Sequence, residues 1–463
     1  MPSSIPCPYE LFLALVKSFS RLQTPPTYAS RLIFILSSVF YNSLGFIKEN
    51  FINTDSFSNK SILFNGLNEE DSHKLVINLT LHSLESINKT YLDDDKLLKD
   101  YIDNNYQIVT VDKSMFDLAI AQIDFYLEYR FNDGWNVDWP LTNLPNGNIE
   151  LIVDQVQDII NWPYPESYTP IQGARIKALT GNWQNLIPPF NMDKNIISNI
   201  NLFRQYKNVQ AETLLLFNKS QVLTIKEKVF AEFWQGNLRV GRKNSPPSVF
   251  WIIFMIYYMK TNKLPFEREI KIFNYLCASI FMTGMFCWGV KYDNIDARPI
   301  QLCRLIKGVP LTYYNGVTTI SDLWNSYIPT KPLPFPNYVS GHASFSSAAS
   351  FVFDELFSEN LDFNEIIFDK EGLMLLTHLF DNIEGDSFDM MTLSVPIGTT
   401  LLDGTITKEV IMMDFNSWKA IAAQAAESRF LGGIHFNYDN QLGLQLGELS
   451  YENLKKDYSF VLK

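Results

Sequence analysis

The stretch Ser428-Arg429-Phe430-Leu431-Gly432-Gly433-Ile434-His435-Phe436-Asn437-Tyr438-Asp439 ends a run of helical character, and the rest of the chain is read outward from it. Ser417 to Phe436 places Ala420, Ala423, Ala426 and Phe430 at helical spacing, which predicts a helix with small-residue faces. The Gly432-Gly433 pair interrupts it. Where the helix unwinds at that pair, Arg429 and His435 face one point. Asp439 follows His435 by four residues, a spacing at which it accepts a hydrogen bond from the second ring nitrogen, fixing the tautomer and raising basicity.

Two earlier segments carry matching chemistry. Phe335-Pro336-Asn337-Tyr338-Val339-Ser340-Gly341-His342 leads from the proline-rich Pro329–Pro336, read as extended, into a helix over His342–Phe357. A helix N-terminus offers unpaired N–H groups and a positive dipole end to an anion. Ser340 caps that helix or donates to an oxyanion, Gly341 permits close approach, and His342 can exchange a proton. Upstream, Lys291 and Arg298-Pro299 follow an apolar helix, and buried cations are costly without an anionic partner. Each segment alone also has a structural explanation: a serine-capped helix, a helix-end lysine on its own carbonyls beside a surface arginine, a core histidine beside a glycine break. Jointly they supply cations from Lys291, Arg298 and Arg429, a hydroxyl, an N–H beside glycine, and two of the chain's histidines (His73, His82, His342, His378, His435). That inventory suits a tetrahedral or trigonal-bipyramidal anion such as phosphate or vanadate.

The surrounding composition is that of a large helical protein. Its 463 residues, 46% hydrophobic and 14% aromatic, suffice for a substantial core. A net charge of −12 argues against nucleic-acid binding and makes the basic cluster a local focus in a negative molecule. Cys7, Cys277, Cys287 and Cys303 form no metal pattern; Cys277 and Cys287 read as buried thiols, and so few cysteines suggest a reducing compartment. Leu11–Val16 is too short, and lacks the cationic flank, for a signal peptide, so a soluble, cytoplasmic location is expected. Leu32–Ile47 and Tyr275–Val290, 16 residues each, fall below membrane-span length and read as buried helices.

Helices are expected over Thr27–Asn50, Asp71–Asn88, Met115–Phe131, Ser220–Trp234, Ser248–Lys260 and Phe266–Val290, the last ending beside Lys291. Asn132–Pro145 and Gly236–Pro247 read as loops, Trp162–Phe190 as irregular, and Asp362–Thr405 as mixed with a short strand or hairpin. The expected fold is all-α: two helical bundles with long loops and at most a few short strands. An N-terminal half, 1–215, precedes a C-terminal half, 216–463, that carries the oxyanion site.

The order and spacing of these motifs resemble the vanadium-dependent haloperoxidases and the related acid phosphatases of the type 2 phosphatidic-acid phosphatase superfamily. The signature is Lys, six residues, Arg-Pro; Ser-Gly-His; then Ser-Arg, three residues, Gly, one residue, His, with Asp four later, and Gly433 fills the glycine position. Trp288 is similar to a site-wall tryptophan of the haloperoxidases, and Phe335 to the phenylalanine of chloride-oxidising members. Thr24-Pro25-Pro26-Thr27 with Arg31-Leu32-Ile33, and Ala231-Glu232-Phe233-Trp234 with Ser245-Pro246-Pro247, resemble further family segments. The sequence departs at Val339, where the family usually has proline, and at Gln235, where an acidic residue often supports the second arginine; Glu232 is the alternative support.

The resemblance implies vanadate as cofactor, bound axially through His435 and held by Lys291, Arg298, Arg429, Ser340 and the Gly341 N–H. His342 would accept a proton from hydrogen peroxide, with halide and a small organic acceptor as co-substrates. The same residues would serve a soluble acid phosphatase acting on a phosphoester through a phosphohistidine at His435, and a non-catalytic structural protein could retain the fold. No nucleic-acid partner and no transmembrane span are expected, and a homo-oligomer is compatible.

Overall fold

The computed structural model describes residues 5–22, 24, 26–49, 51–54, 62–134, 189–235, 247–294, 296–313, 316–328, 336–357, 394–395, 397–412 and 417–463. Among them the chain is mainly helical. α1 (Pro8–Leu22), α2 (Pro26–Ser43), α3 (Glu69–Tyr91), α4 (Lys96–Asn105) and α5 (Lys113–Phe131) come first. α6 (Asn195–Arg204), α7 (Val209–Lys219), α8 (Ile225–Gln235), α9 (Pro247–Asn262), α10 (Phe266–Asn294) and α11 (Pro299–Cys303) follow, then α12 (Gly341–Phe357), α13 (Trp418–Leu431) and α14 (Asn437–Tyr458). Strands among the described residues form two antiparallel pairs: β1 (Pro310–Thr312) with β2 (Thr318–Ile320), Leu311 opposite Thr319, and β3 (Ser394–Val395) with β4 (Ile411–Met412). The all-α expectation holds.

Short polar side chains set several helix starts by accepting orphan backbone N–H groups: Asn68 for α3, Asp95 for α4, Asp112 for α5, Asn208 for α7 and Ser417 for α13. The helix expected over Ser220–Trp234 begins later, at Ile225. Ser220–Leu223 is a turn after α7, and α8 is nucleated by a reciprocal cap in which the Thr224 N–H donates to Glu227 Oε2 at 2.9 Å and the Glu227 N–H to Thr224 Oγ1 at 3.3 Å. The Thr-x-x-Glu spacing carried that signal. Periodicity alone did not single out α4, α6, α7 or α14, whose apolar faces are interrupted by polar residues.

α10 is the axis of the fold. Its 29 residues span about 44 Å. From Glu269 to Tyr292 nearly every side chain is buried, so no polar face exists and the helix is core on all sides. It packs against α2, α12 and α14. α2 is likewise buried from Ala29 to Ser43. These two helices are long and apolar enough to cross a membrane, but here they lie inside the protein. One apolar core runs from Leu11 in α1 to Val461 after α14, drawing on both halves of the chain. Two smaller clusters, one around Trp324 with Phe436 and one joining Ala231, Tyr327, Leu431 and Ile434, abut the site described below.

The expected loop Gly236–Pro247, apart from Pro247 at the start of α9, lies outside the described residues, as do Ser245, Pro246, His378 and residues 135–145, 162–188, 329–335 and 362–393 of the other expected segments.

α12 and α14 approach unusually closely. A Cβ on Gly443 would lie 2.7 Å from the Ser340 carbonyl and 2.8 Å from Ala343 Cβ; one on Gly447 would lie 2.6 Å from Ser347 Cβ. Two glycines one turn apart thus admit the first turns of α12, and Ser347 Oγ ties them by donating to the Leu444 carbonyl at 2.7 Å. Gly443→Val should force these helices apart and destabilise the protein by about 1–3 kcal/mol, the usual cost of overpacking, read as a lower urea midpoint with unchanged slope.

Candidate active site

α10 extends one turn beyond its expected end at Val290, so Lys291 lies on the helix rather than beside its end. Its side chain is fully buried, and the ammonium donates to the carbonyls of Pro336 (2.9 Å), Asn337 (3.0 Å) and Val339. Desolvation pushes the Lys291 pKa down to about 7. Arg298 caps α11 with Pro299 in the first helical position, and its backbone N–H donates to Gln301 Oε1 at 2.7 Å. Its guanidinium turns inward: Nη1 donates to the Ile434 carbonyl and to His435 Nε2, each at 3.0 Å, and Nη2 to the Pro336 carbonyl at 3.3 Å.

Residues 336–340 are entirely buried despite valine at position 339. The Lys291 contacts hold their carbonyls, and the Ser340 N–H donates to the Asp439 carbonyl at 3.0 Å. α12 opens at Gly341, whose Cβ, if present, would lie 3.3 Å from the Trp288 ring. Glycine therefore brings the helix N-terminus onto that indole, which also faces Phe345 at 6.0 Å and lies 5.7 Å from Lys291 Nζ. His342 Nε2 sits 3.2 Å from the Trp234 carbonyl. A carbonyl only accepts, so Nε2 carries the proton and Nδ1 the lone pair.

α13 stops as the glycine pair requires. Gly433 has φ +76°, and its missing Cβ would lie 3.0 Å from Ser326 Cβ. The Ile434 and His435 N–H groups fold back onto the Arg429 carbonyl at 3.0 and 3.2 Å, returning His435 toward Arg429. Arg429 is 0% exposed; its donors reach Ser428 Oγ (2.9 Å), Gln235 Oε1 (2.7 Å) and the Ala231 carbonyl (3.0 Å). The neutral Gln235 thus does what was expected of an acid. Glu232 is not its substitute: it faces away, accepting from Tyr327 Oη and the Leu402 N–H (2.9 Å), and burial raises its pKa to about 7.

His435 is 2% exposed. A guanidinium only donates, so the Arg298 contact makes Nε2 the acceptor and places the ring proton on Nδ1. The expected hydrogen bond from Nδ1 to Asp439 is not formed: the separation from Oδ2 is 4.0 Å, because that oxygen already accepts the Phe436 N–H at 3.0 Å and Asn337 Nδ2. Burial first, then neighbouring cations, drive both His342 and His435 well below the usual histidine pKa, so both rings are neutral near pH 7. Phe335 lies outside the described residues.

Residues 271–454 match the family model of the VCPO second helical-bundle domain. This segment is similar to the second helical bundle of the vanadium haloperoxidases. The fold of the whole chain is likewise that of solved vanadium haloperoxidases. It superposes on a bacterial vanadium-dependent iodoperoxidase with TM-score 0.52 at 16% identity, covering 98% of each chain. On bacterial vanadium-dependent chloroperoxidases in apo and holo forms it gives TM-scores of 0.59 and 0.57 at 14% and 15% identity, covering 93–96% of this chain and 94% of each of those. A putative JmjC domain-containing protein of Acanthamoeba polyphaga mimivirus is 21% identical over 211 residues, 44% of this chain and 30% of that protein's length.

Several polar groups around this candidate site gave no sequence signal. Asn337 contacts both Arg298 and Asp439, yet reads as one more loop asparagine. Lys207, from the turn between α6 and α7, reaches Asp439 Oδ1 at 2.6 Å across 232 residues of sequence.

Lys291 makes a pH test. Its folded pKa of about 7 lies below the ordinary 10.5, so between these values the unfolded chain binds a proton that the folded protein lacks. Stability from this group therefore rises with pH across that window, by at most about 1.4 kcal/mol per pH unit. Urea unfolding at pH 7, 8 and 9 without oxyanion should show wild type gaining on Lys291→Met as pH rises; parallel curves would refute the assignment.

Proposed function

We propose that this protein is a vanadate-dependent haloperoxidase that oxidises halide with hydrogen peroxide for transfer to a small organic acceptor. The observation that carries this reading is Arg429, a fully buried guanidinium whose donors reach, among the described residues, the neutral oxygens of Ser428, Gln235 and Ala231. Neutral acceptors repay little of the cost of burying that charge, and a multiply charged oxyanion beside it repays far more. The rest of the donor set fits the same ligand. Lys291 and Arg298 add two cations, Ser340 a hydroxyl, and the start of α12 the Gly341 N–H. His435 would hold vanadate through Nε2, the nitrogen whose lone pair accepts from Arg298 Nη1. The fold shared with vanadium-dependent chloro- and iodoperoxidases supports vanadate in particular.

Vanadate, when bound, activates hydrogen peroxide toward attack by halide. The chain's residues set the conditions. The cations draw negative charge away from the bound oxygens, a preorganised electrostatic effect that needs no rearrangement during reaction. Neutral His342, its Nε2 proton engaged by Trp234, takes the peroxide proton on Nδ1. Trp288 closes the wall behind Gly341 and keeps water from that side.

Purified protein given orthovanadate, hydrogen peroxide and bromide or iodide should halogenate a phenol indicator, and His435→Ala should reduce the rate to background while leaving the protein folded. Hydrolysis of p-nitrophenyl phosphate without vanadate, with halogenation at background, would replace this reading by the phosphatase. Neither activity from folded protein would leave the non-catalytic reading.

A further inference from the structure

Lys207 is a buried cation outside the three motif segments. Its side chain is 3% exposed, and Nζ donates to Asp439 Oδ1 at 2.6 Å and to Asp296 Oδ2 at 3.5 Å. The ammonium also lies 4.7 Å from the Phe436 ring and 5.9 Å from the Tyr338 ring, which close around it. Burial opposes the charge, but the two carboxylates outweigh it and hold the Lys207 pKa above its usual value.

Asp439 is the relay. One carboxylate oxygen takes Lys207; the other takes the Phe436 N–H and Asn337 Nδ2, and faces His435 Nδ1 at 4.0 Å. With donors on both oxygens the carboxylate has one orientation. Its backbone carbonyl holds the Ser340 N–H, so the same residue fixes the start of the anion loop. Arg298 also favours the Nδ1–H tautomer through Nε2, but a bound oxyanion competes for that guanidinium. With Arg298 engaged by an anion, the Asp439 carboxylate 4.0 Å from Nδ1 would be the negative charge facing that nitrogen, favouring the proton there electrostatically rather than through a hydrogen bond.

We propose that Lys207 is a positioning residue: by pinning Asp439 it holds His435 as the Nδ1–H tautomer and keeps the Nε2 lone pair directed at the central atom of the bound oxyanion. This rests on the reading of His435 as ligand or nucleophile. A cation serving only to neutralise Asp439 would affect folding and all anions alike. A positioning residue affects most the anion that bonds to Nε2.

The test uses the full chain as wild type, Lys207→Met and Lys207→Arg. Orthovanadate and phosphate affinities are measured by calorimetry, and the His435 ring nitrogens by 15N NMR with and without phosphate. Lys207→Met should weaken orthovanadate at least tenfold and phosphate no more than about threefold. Its His435 should show a mixture of tautomers where wild type shows Nδ1–H alone, and Lys207→Arg should recover both properties. Unchanged orthovanadate affinity and tautomer in folded Lys207→Met would overturn the proposal. Equal loss of both anions with the tautomer intact would do the same. If Lys207→Met does not fold, Lys207→Gln, which keeps a donor but not the charge, is judged by the same criteria. If wild type binds neither anion, the haloperoxidase reading fails, and the ring-nitrogen spectra alone decide the role of Lys207.

Discussion

The positive charges of Lys291, Arg298 and Arg429 are buried within a few per cent of completely, in a protein whose net charge is −12. Removing such charges from water costs several kcal/mol each unless something repays it. Lys291 is partly repaid by three backbone carbonyls, and its pKa still falls to about 7. Arg298 leans on carbonyls and an imidazole, Arg429 on a serine, a glutamine and a carbonyl. The oxygens that solvate these cations come from residues 231, 235, 336, 337, 339, 428 and 434, so segments distant in sequence converge on them.

Backbone precision at the cradle comes from glycines rather than from large side chains. Gly341 lets the first turn of α12 rest on Trp288, while Gly443 and Gly447 let α14 press against the other side of that turn. Gly433 reverses the chain so that His435 follows Arg429 within one tight turn. Behind these contacts α10 is apolar around its whole circumference, which makes it a rigid post carrying Lys291 at its last turn. A close-packed surround of low dielectric strengthens every electrostatic interaction inside it.

Much of this was legible in the primary structure because local rules govern it. The long helices follow apolar periodicity, the break after α13 follows Gly432-Gly433, and the start of α12 follows Ser340-Gly341. The start of α8 was equally local, in Thr224 and Glu227, but was masked by the helical composition around it. Other features were beyond reach. Asp439 stands at the spacing for a hydrogen bond to His435, yet Phe436 and Asn337 hold its carboxylate 4.0 Å away. Glu232 is near Arg429 in the chain order of the motifs but is turned to Tyr327 and Leu402 by the side of α8 it occupies.

The sequence by itself determined which groups are available: the cations, the hydroxyl, the glycine-flanked N–H, the histidines, and the helices that carry them, because residue type and short-range spacing encode these directly. Only the tertiary structure decided how each group is used. Which nitrogen of His435 keeps its lone pair depends on Arg298, 137 residues away, and what holds Asp439 depends on Lys207, 232 residues away. Hydrogen-bond partners at such separations are chosen by packing, since no local rule brings two residues together across a folded core.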